Sequence, residues 1–274
     1  MQGRLSPKPR ERVQAFPKDS WREEFSRARQ YRFHCIELIF DVLYLEDNPL
    51  ASEVGRRELV SLAEENEIRL HSICADYFME RPLSAERHEN VERAKELLHM
   101  AHEIGCPVVE FPFVDASSLL PDGRIESAAG AIEELADSAR ELGIGLALET
   151  DLPPVVFRDF LDRFPRETVG ANLDLGNSAS LGYDPFAECR AFGSRIVNVH
   201  VKDRPLGGGT VPLTTGDVDF ASAFRALAEH GYRGDFILQT APDDDYLAAA
   251  RRYREMVEEW IERYLSGESD GSGA

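Results

Sequence analysis

Ile144-Gly145-Leu146-Ala147-Leu148-Glu149 and Val169-Gly170-Ala171-Asn172-Leu173-Asp174 are two short, largely apolar runs, each closed by a carboxylate. Residues 154–164 carry a helical pattern between them. Short runs buried on both faces and separated by helices are the mark of a parallel sheet. Working outward, the alternation continues: strands are predicted at 35–40, 68–74, 108–113, 196–201 and 236–240, making seven in all. Helices are predicted at 20–31, 51–66, 84–104, 126–142, 185–192, 218–230 and 244–265. Asp19-Ser20 and Ser84 supply start signals, and Gly105, Gly143 and Gly231 supply stops. Eight helices ask for eight strands. The missing one must precede Ser20, where only residues 1–5 are free, so the first strand is expected to be very short or truncated.

No Gly/Ser/Pro-rich linker interrupts the alternation, which favours one closed α/β (β/α)8 TIM barrel over two domains. The expected barrel spans residues 1–265, and the small and acidic residues 266–274 read as a disordered tail. The 274 residues sit close to the roughly 250 typical of this architecture. The 31 basic against 50 acidic residues leave a net charge of −19, a field that repels phosphate backbones and anionic lipid, so neither nucleic acid nor membrane is an expected partner. No apolar run approaches the roughly 20 residues that span a bilayer, and the basic start has no signal-peptide core behind it. A cytoplasmic location is expected. Cys35, Cys74, Cys106 and Cys189 lack metal or redox spacing and read as buried free thiols.

In a β/α barrel the chemistry sits at the carboxyl ends of the strands. Glu149, Asp174, His200 and Gln239 stand there on consecutive strands. Strand alternation puts Asn198, His200 and Lys202 on one face and Val197, Val199 and Val201 on the other. Carboxylate, imidazole and amide oxygen suit a divalent cation such as Mn²⁺, Mg²⁺, Co²⁺ or Zn²⁺, and no cysteine joins the set. The plainer alternative for each residue is a strand-end group solvated at the mouth or paired with a neighbour. Four on successive strands weigh against it.

Met1-Gln2-Gly3-Arg4-Leu5-Ser6-Pro7, Ile36-Glu37-Leu38, Leu148-Glu149-Thr150, Asn172-Leu173-Asp174-Leu175-Gly176-Asn177, Val199-His200-Val201-Lys202-Asp203 and Gly216-Asp217-Val218-Asp219-Phe220 together carry a resemblance. The chain resembles the sugar phosphate isomerase/epimerase group of xylose-isomerase-like TIM barrels, which includes ketose epimerases, inosose dehydratases and, remotely, endonuclease IV. The resemblance implies a divalent metal held by Glu149, Asp174 and His200, with Gln239 where the family has a glutamate. It further implies that the ion polarises a substrate carbonyl, that a neighbouring C–H proton is removed, and that an enediolate is stabilised. In ketose epimerases two glutamates act from opposite faces, and an amide cannot abstract a proton. Glu149 is therefore the expected base, with Lys202, then His71, then Glu37 as second proton-transfer candidates.

Each has a plainer reading. Lys202 is more readily a fixed charge for a phosphate or carboxylate, or a partner of Asp203. His71 is as readily a core histidine as a ligand. Glu37 suits a substrate hydroxyl or an ion pair with Arg4, and Glu110 invites the same argument. Asn177 and Arg204 stand where the family contacts substrate oxygens, although such residues are also ordinary loop surface. Gly207-Gly208-Gly209 reads as a flexible lid rather than a phosphate cradle, because no helix opens behind it. Asp243-Asp244-Asp245 read as the charged first turn of the last helix.

The leading expectation is a metal-dependent isomerase or epimerase of a sugar, sugar phosphate or related polyol. The alternatives are a dehydratase of an inosose-like keto-polyol and an inactive metal- and sugar-binding relative. An endonuclease IV-like nuclease is disfavoured by charge and by the lack of extra histidine ligands. A homodimer is a partner the resemblance allows.

Overall fold

The computed structural model describes residues 1–7, 14–85, 87–121 and 123–266. The expected disordered tail therefore lies, but for Ser266, outside the described residues. Seven strands, β1 (Cys35–Ile39), β2 (Arg69–Cys74), β3 (Val108–Phe113), β4 (Gly145–Thr150), β5 (Val169–Asp174), β6 (Ile196–Val201) and β7 (Phe236–Leu238), pair in chain order, all parallel. The eighth stave is reduced to one bridge. Gln2 pairs with Glu37 of β1 and its N–H donates to Leu238 O of β7 at 3.2 Å, while Glu37 N donates to Met1 O at 2.9 Å. Gly3 turns the chain away at a positive φ of 54°, where a Cβ would press on Ile39 Cδ1. The first strand is thus very short, and the barrel closes across it.

The helices pack outside: α1 (Trp21–Gln30), α2 (Glu53–Asn66), α3 (Tyr77–Glu80), α4 (Arg87–Glu103), α5 (Arg124–Leu142), α6 (Pro154–Leu161), α7 (Leu175–Ser180), α8 (Pro185–Phe192), α9 (Phe220–Glu229) and α10 (Tyr246–Leu265). Ser52, Asp184, Asp219 and Asp245 cap α2, α8, α9 and α10 by accepting from first-turn N–H groups. This explains why α9 and α10 start two residues later than the apolar pattern suggests. α3 and α7, of four and six residues, are insertions at the ends of β2 and β5 too short to leave a period. The apolar core lies between sheet and helices, as where Phe224 of α9 stacks on Phe236 of β7 with centroids 4.8 Å apart. None of the described helices is long and apolar enough to cross a membrane. All four cysteines are buried and unpaired.

The barrel lumen, usually filled by branched apolar side chains, is here polar. Gln2, Glu37, Ser72, Asn172, Asn198 and His200 are all buried within it. Two register shifts bring them into line. Ile36 pairs with Leu70 but Glu37 with Ser72, which skips His71; Ala171 pairs with Ile196 but Asn172 with Asn198, which skips Val197. Each bulge resets the alternation. From there Asn172 faces Asn198, and Asp174 faces His200.

Candidate active site

The strand ends open on a cavity of about 380 Å³ whose walls include Arg4, Asp76, Glu110, Glu149, Lys202 and Gln239. Glu149 is the penultimate residue of β4, and Asp174 is both the last residue of β5 and the N-cap of α7, accepting from Asn177 N at 2.9 Å. His200 of β6 lies between them. Its Nδ1 stands 3.5 Å from Glu149 Oε2 and 3.7 Å from Asp174 Oδ2. Three ligand atoms, one from each residue, lie within 4.8 Å of one another. Donors held about 2.1 Å from one cation at tetrahedral angles lie roughly 3.4 Å apart, so the spacing accepts a divalent ion. Two buried carboxylates and an imidazole nitrogen are also the donor chemistry that a divalent cation takes. Glu149, Asp174 and His200 therefore fit a metal.

Behind them, Glu37 Oε1 is 3.0 Å from His200 Nε2, the carboxylate–histidine arrangement that turns the other ring nitrogen toward a metal. Glu37 also accepts from Gln2 Nε2 at 2.9 Å, Ser72 Oγ at 2.6 Å and Asn198 Nδ2 at 3.0 Å. Burial alone would raise its pKa, but the His200 charge and these donors hold it at about 2. His200, despite burial, is held well above its usual value by Glu37, Asp174 and Glu149. Glu37 thus pairs with His200 and not with Arg4, and it lies beneath the cavity wall, out of reach of substrate hydroxyls.

Lys202 does not pair with Asp203. Its Nζ lies 2.6 Å from Asp174 Oδ2 and 2.6 Å from Gln239 Oε1, because Val201 and Leu238 are in register and place the next residues side by side. The Gln239 oxygen expected on a metal is therefore engaged by an ammonium. Asp203, fully buried, instead accepts from Thr215 N, Gly216 N and Val218 N at 3.1, 2.9 and 3.2 Å. A Cβ on Gly216 would overlap Asp203 Oδ1.

Asn177 Nδ2 donates to Glu149 Oε1 and Asn172 Nδ2 donates to Glu149 Oε2, the latter at 2.6 Å, so both base oxygens are oriented. Arg204 Nη1 donates to Asn177 Oδ1 at 2.7 Å, and its Nε donates to Gly208 O at 2.8 Å. The expected lid is thereby tied down, with Gly207 N also donating to Ser180 O at 2.8 Å. Arg4 reaches the cavity while its Nε donates to Thr240 O at 2.6 Å; burial lowers its pKa to about 10. His71 is elsewhere. Its Nδ1 lies 3.0 Å from Asp235 Oδ2 at the amino end of β7, and its Nε2 is 3.2 Å from Asn198 Oδ1. As the skipped residue of a bulge it serves the floor of the barrel, so neither it nor Glu37 can exchange a proton with a ligand in the cavity.

Three residues were not singled out from sequence. Asn172 shares its face with Asp174 by period two, a signal that was available. Asp76 follows β2 by two residues, and Gln14 Nε2 donates to its Oδ2 at 2.6 Å; burial raises its pKa to about 6. Glu188 of α8 accepts from Ser178 Oγ at 2.7 Å, buried beside the base.

L-ribulose-5-phosphate 3-epimerase UlaE of Salmonella paratyphi A is 26% identical over 245 residues, covering 81% of this chain and 82% of that one. Among solved structures, a D-allulose 3-epimerase from Methylomonas sp. in complex with D-allulose aligns with a TM-score of 0.71 at 18% identity, covering 94% and 95% of the two chains. The IOLI protein with a bound zinc atom aligns with a TM-score of 0.76 at 16% identity, covering 97% and 99%. The family model described as xylose isomerase-like TIM barrel matches residues 25–264. The chain belongs to the xylose isomerase-like TIM barrel family.

Proposed function

We propose that this chain is a divalent-metal-dependent isomerase or epimerase of a ketose, ketose phosphate or related polyol, acting in the cytoplasm. The observation that carries the reading is the convergence of Glu149, Asp174 and His200 on the rim of an open cavity. Mn²⁺, Mg²⁺, Co²⁺ or Zn²⁺ bound there would supply positive charge that polarises a substrate carbonyl and acidifies the adjacent C–H. Glu149 takes that proton, its oxygens aimed by Asn172 and Asn177. Lys202 faces the substrate from the Gln239 side, where the family's second glutamate is replaced, and is the group placed to neutralise or protonate the developing oxyanion. Arg204 and Arg4 bind substrate oxygens with the N–H groups left over from their protein contacts.

A second reading, dehydration of an inosose-like keto-polyol, is supported by Gln239. A single carboxylate base suffices to remove the proton next to the carbonyl, after which a β-hydroxyl leaves. The test is incubation with L-ribulose, D-allulose and an inosose in D₂O with added Mn²⁺, followed by NMR. Deuterium enters the carbon beside the carbonyl, and chelation or Glu149→Gln abolishes its entry. Absence of exchange into any of the three would refute the proposal.

A further inference from the structure

One group in the cavity wall takes no part in the proton transfer proposed for Glu149. Glu110 lies in the middle of β3, in register with Cys74 of β2 on one side and Ala147 of β4 on the other. Glu110 is completely buried in the wall of the cavity, and neither carboxyl oxygen meets a well-directed donor among the described residues, although the Cys74 thiol lies close enough to act as a weak one. The contacts that Arg4, Lys202 and Arg204 make are with Thr240, Asp174, Gln239, Asn177 and Gly208, as described, and not with Glu110. The thiol of Cys74, its neighbour in register, is directed at Asp76 Oδ1, 3.2 Å away. Glu110 stands beside the small side chain of Ala147, one layer below the level where Pro112 pairs with Glu149.

A carboxyl buried without counter-ion or well-directed donor is costly, and folded proteins almost always satisfy such oxygens. Burial and the nearby Glu149 both push its pKa above that of an ordinary glutamate, and in either protonation state its oxygens accept hydrogen bonds from hydroxyl groups. That is the complement of an alcohol.

We propose that Glu110 is a specificity-determining residue that binds a hydroxyl of a polyhydroxylated substrate, its two orphaned oxygens being completed by the ligand. Asp76, on the same wall, extends this hydroxyl-binding side of the cavity. The proposal rests on the reading of the cavity as a ketose or polyol site. It differs from that reading in concerning recognition away from the proton-transfer centre.

Calorimetric binding of L-ribulose, 1-deoxy-L-ribulose and 5-deoxy-L-ribulose to the Mn²⁺-supplemented protein tests it, with Glu110→Leu and Glu110→Gln as variants. The wild type should prefer L-ribulose over one of the two deoxy ketoses by roughly 10- to 100-fold, the worth of a buried hydrogen bond left unmade. In Glu110→Leu, L-ribulose should weaken by a similar factor and the preference should vanish, while Glu110→Gln, which keeps a donor and an acceptor, retains part of it. Glu110→Leu should also melt no lower than the wild type, because it removes an unsatisfied buried carboxyl. A purely structural glutamate would show the reverse.

Unchanged discrimination in either folded variant overturns the proposal, as does a wild type that binds none of the three ketoses. Binding with this pattern but no deuterium exchange overturns the proposed catalytic function and leaves Glu110 as assigned. Exchange that persists with unaltered discrimination overturns the role of Glu110 alone.

Discussion

Glu37→Gln removes one negative charge from the centre of the barrel while keeping its shape. Glu37 accepts from four side chains, of Gln2, Ser72, Asn198 and His200, at 2.6 to 3.0 Å. Its carboxyl is held at about 2 against an ordinary value of 4.5, which corresponds to roughly 3 kcal/mol of folding stability at neutral pH. The cost of breaking a buried ion pair by removing one partner, about 3–5 kcal/mol, agrees. In a chain of this size about 3 kcal/mol lowers Tm by roughly 6–12 °C. Because the folded pKa is depressed, the stabilisation is fully present above pH 4.5 and is lost as pH falls toward 2. The gap between variant and wild type should therefore be widest at pH 7 and shrink progressively below 4.5. Scanning calorimetry at pH 7, 4 and 3 reads this directly. Mn²⁺ affinity should fall roughly 10- to 100-fold as well, since Glu37 orients the His200 ring. A variant that melts with the wild type at pH 7, or a gap that grows on acidification, would refute the reasoning.

Two further outcomes follow from other carboxyl positions. Gln239→Glu places a third carboxylate, and a fourth ligand, beside Asp174 and Lys202 and should tighten Mn²⁺ binding roughly tenfold even after partial neutralisation by the ammonium; titration calorimetry showing unchanged or weaker binding would disprove it. Buried Glu24 of α1, which accepts from Leu5 N at 3.2 Å, is raised by burial to about 7, with Ser6, Leu5 N and Arg4 acting against the shift. Its raised folded pKa means stability falls as pH rises from about 4.5 to about 7, by about 3 kcal/mol. Urea denaturation of Glu24→Gln should therefore match the wild type near pH 4.5 and exceed it at pH 8, and equal curves at both would discount the burial penalty.

The strands and the rim residues were legible because both depend on short-range pattern. An apolar run ending in Glu149, Asp174 or His200 reports a strand and its carboxyl end at once, and these three side chains do lie together. What strand parity reports is a face, never a partner. Lys202 was placed on the lumen face correctly, but adjacent Asp203 was the obvious counter-ion, and only the pairing of Val201 with Leu238 reveals Gln239 and Asp174 as its neighbours. His71 and Glu37 take the plainer of their two readings, a hydrogen-bonded core histidine and an ion pair, the latter with His200 in place of Arg4, for a related reason. The bulge that skips His71 aligns Glu37 with Ser72, and a bulge leaves no mark in a hydrophobic pattern. α3 and α7 were missed because one or two helical turns cannot establish a period of 3.6.

The loop after β6 is fastened at both ends. Leu206 N donates to Asp217 Oδ2 at 2.7 Å, Val211 N donates to Asp203 O at 2.9 Å, and Asp203 gathers the amides of residues 215, 216 and 218. Gly208 is held as well, its N–H donating to Pro205 O at 2.8 Å and its O accepting from Arg204 Nε at 2.8 Å, so that the tip is Gly209 and Thr210, both of which face the cavity. Length and composition can drift at that tip without disturbing the reach of Lys202 or the hold on Asn177 by Arg204. The barrel thus sets a loosely held tip only a few bonds from a firmly held loop, and directed diversification aimed at new ligands belongs at residues 209–210.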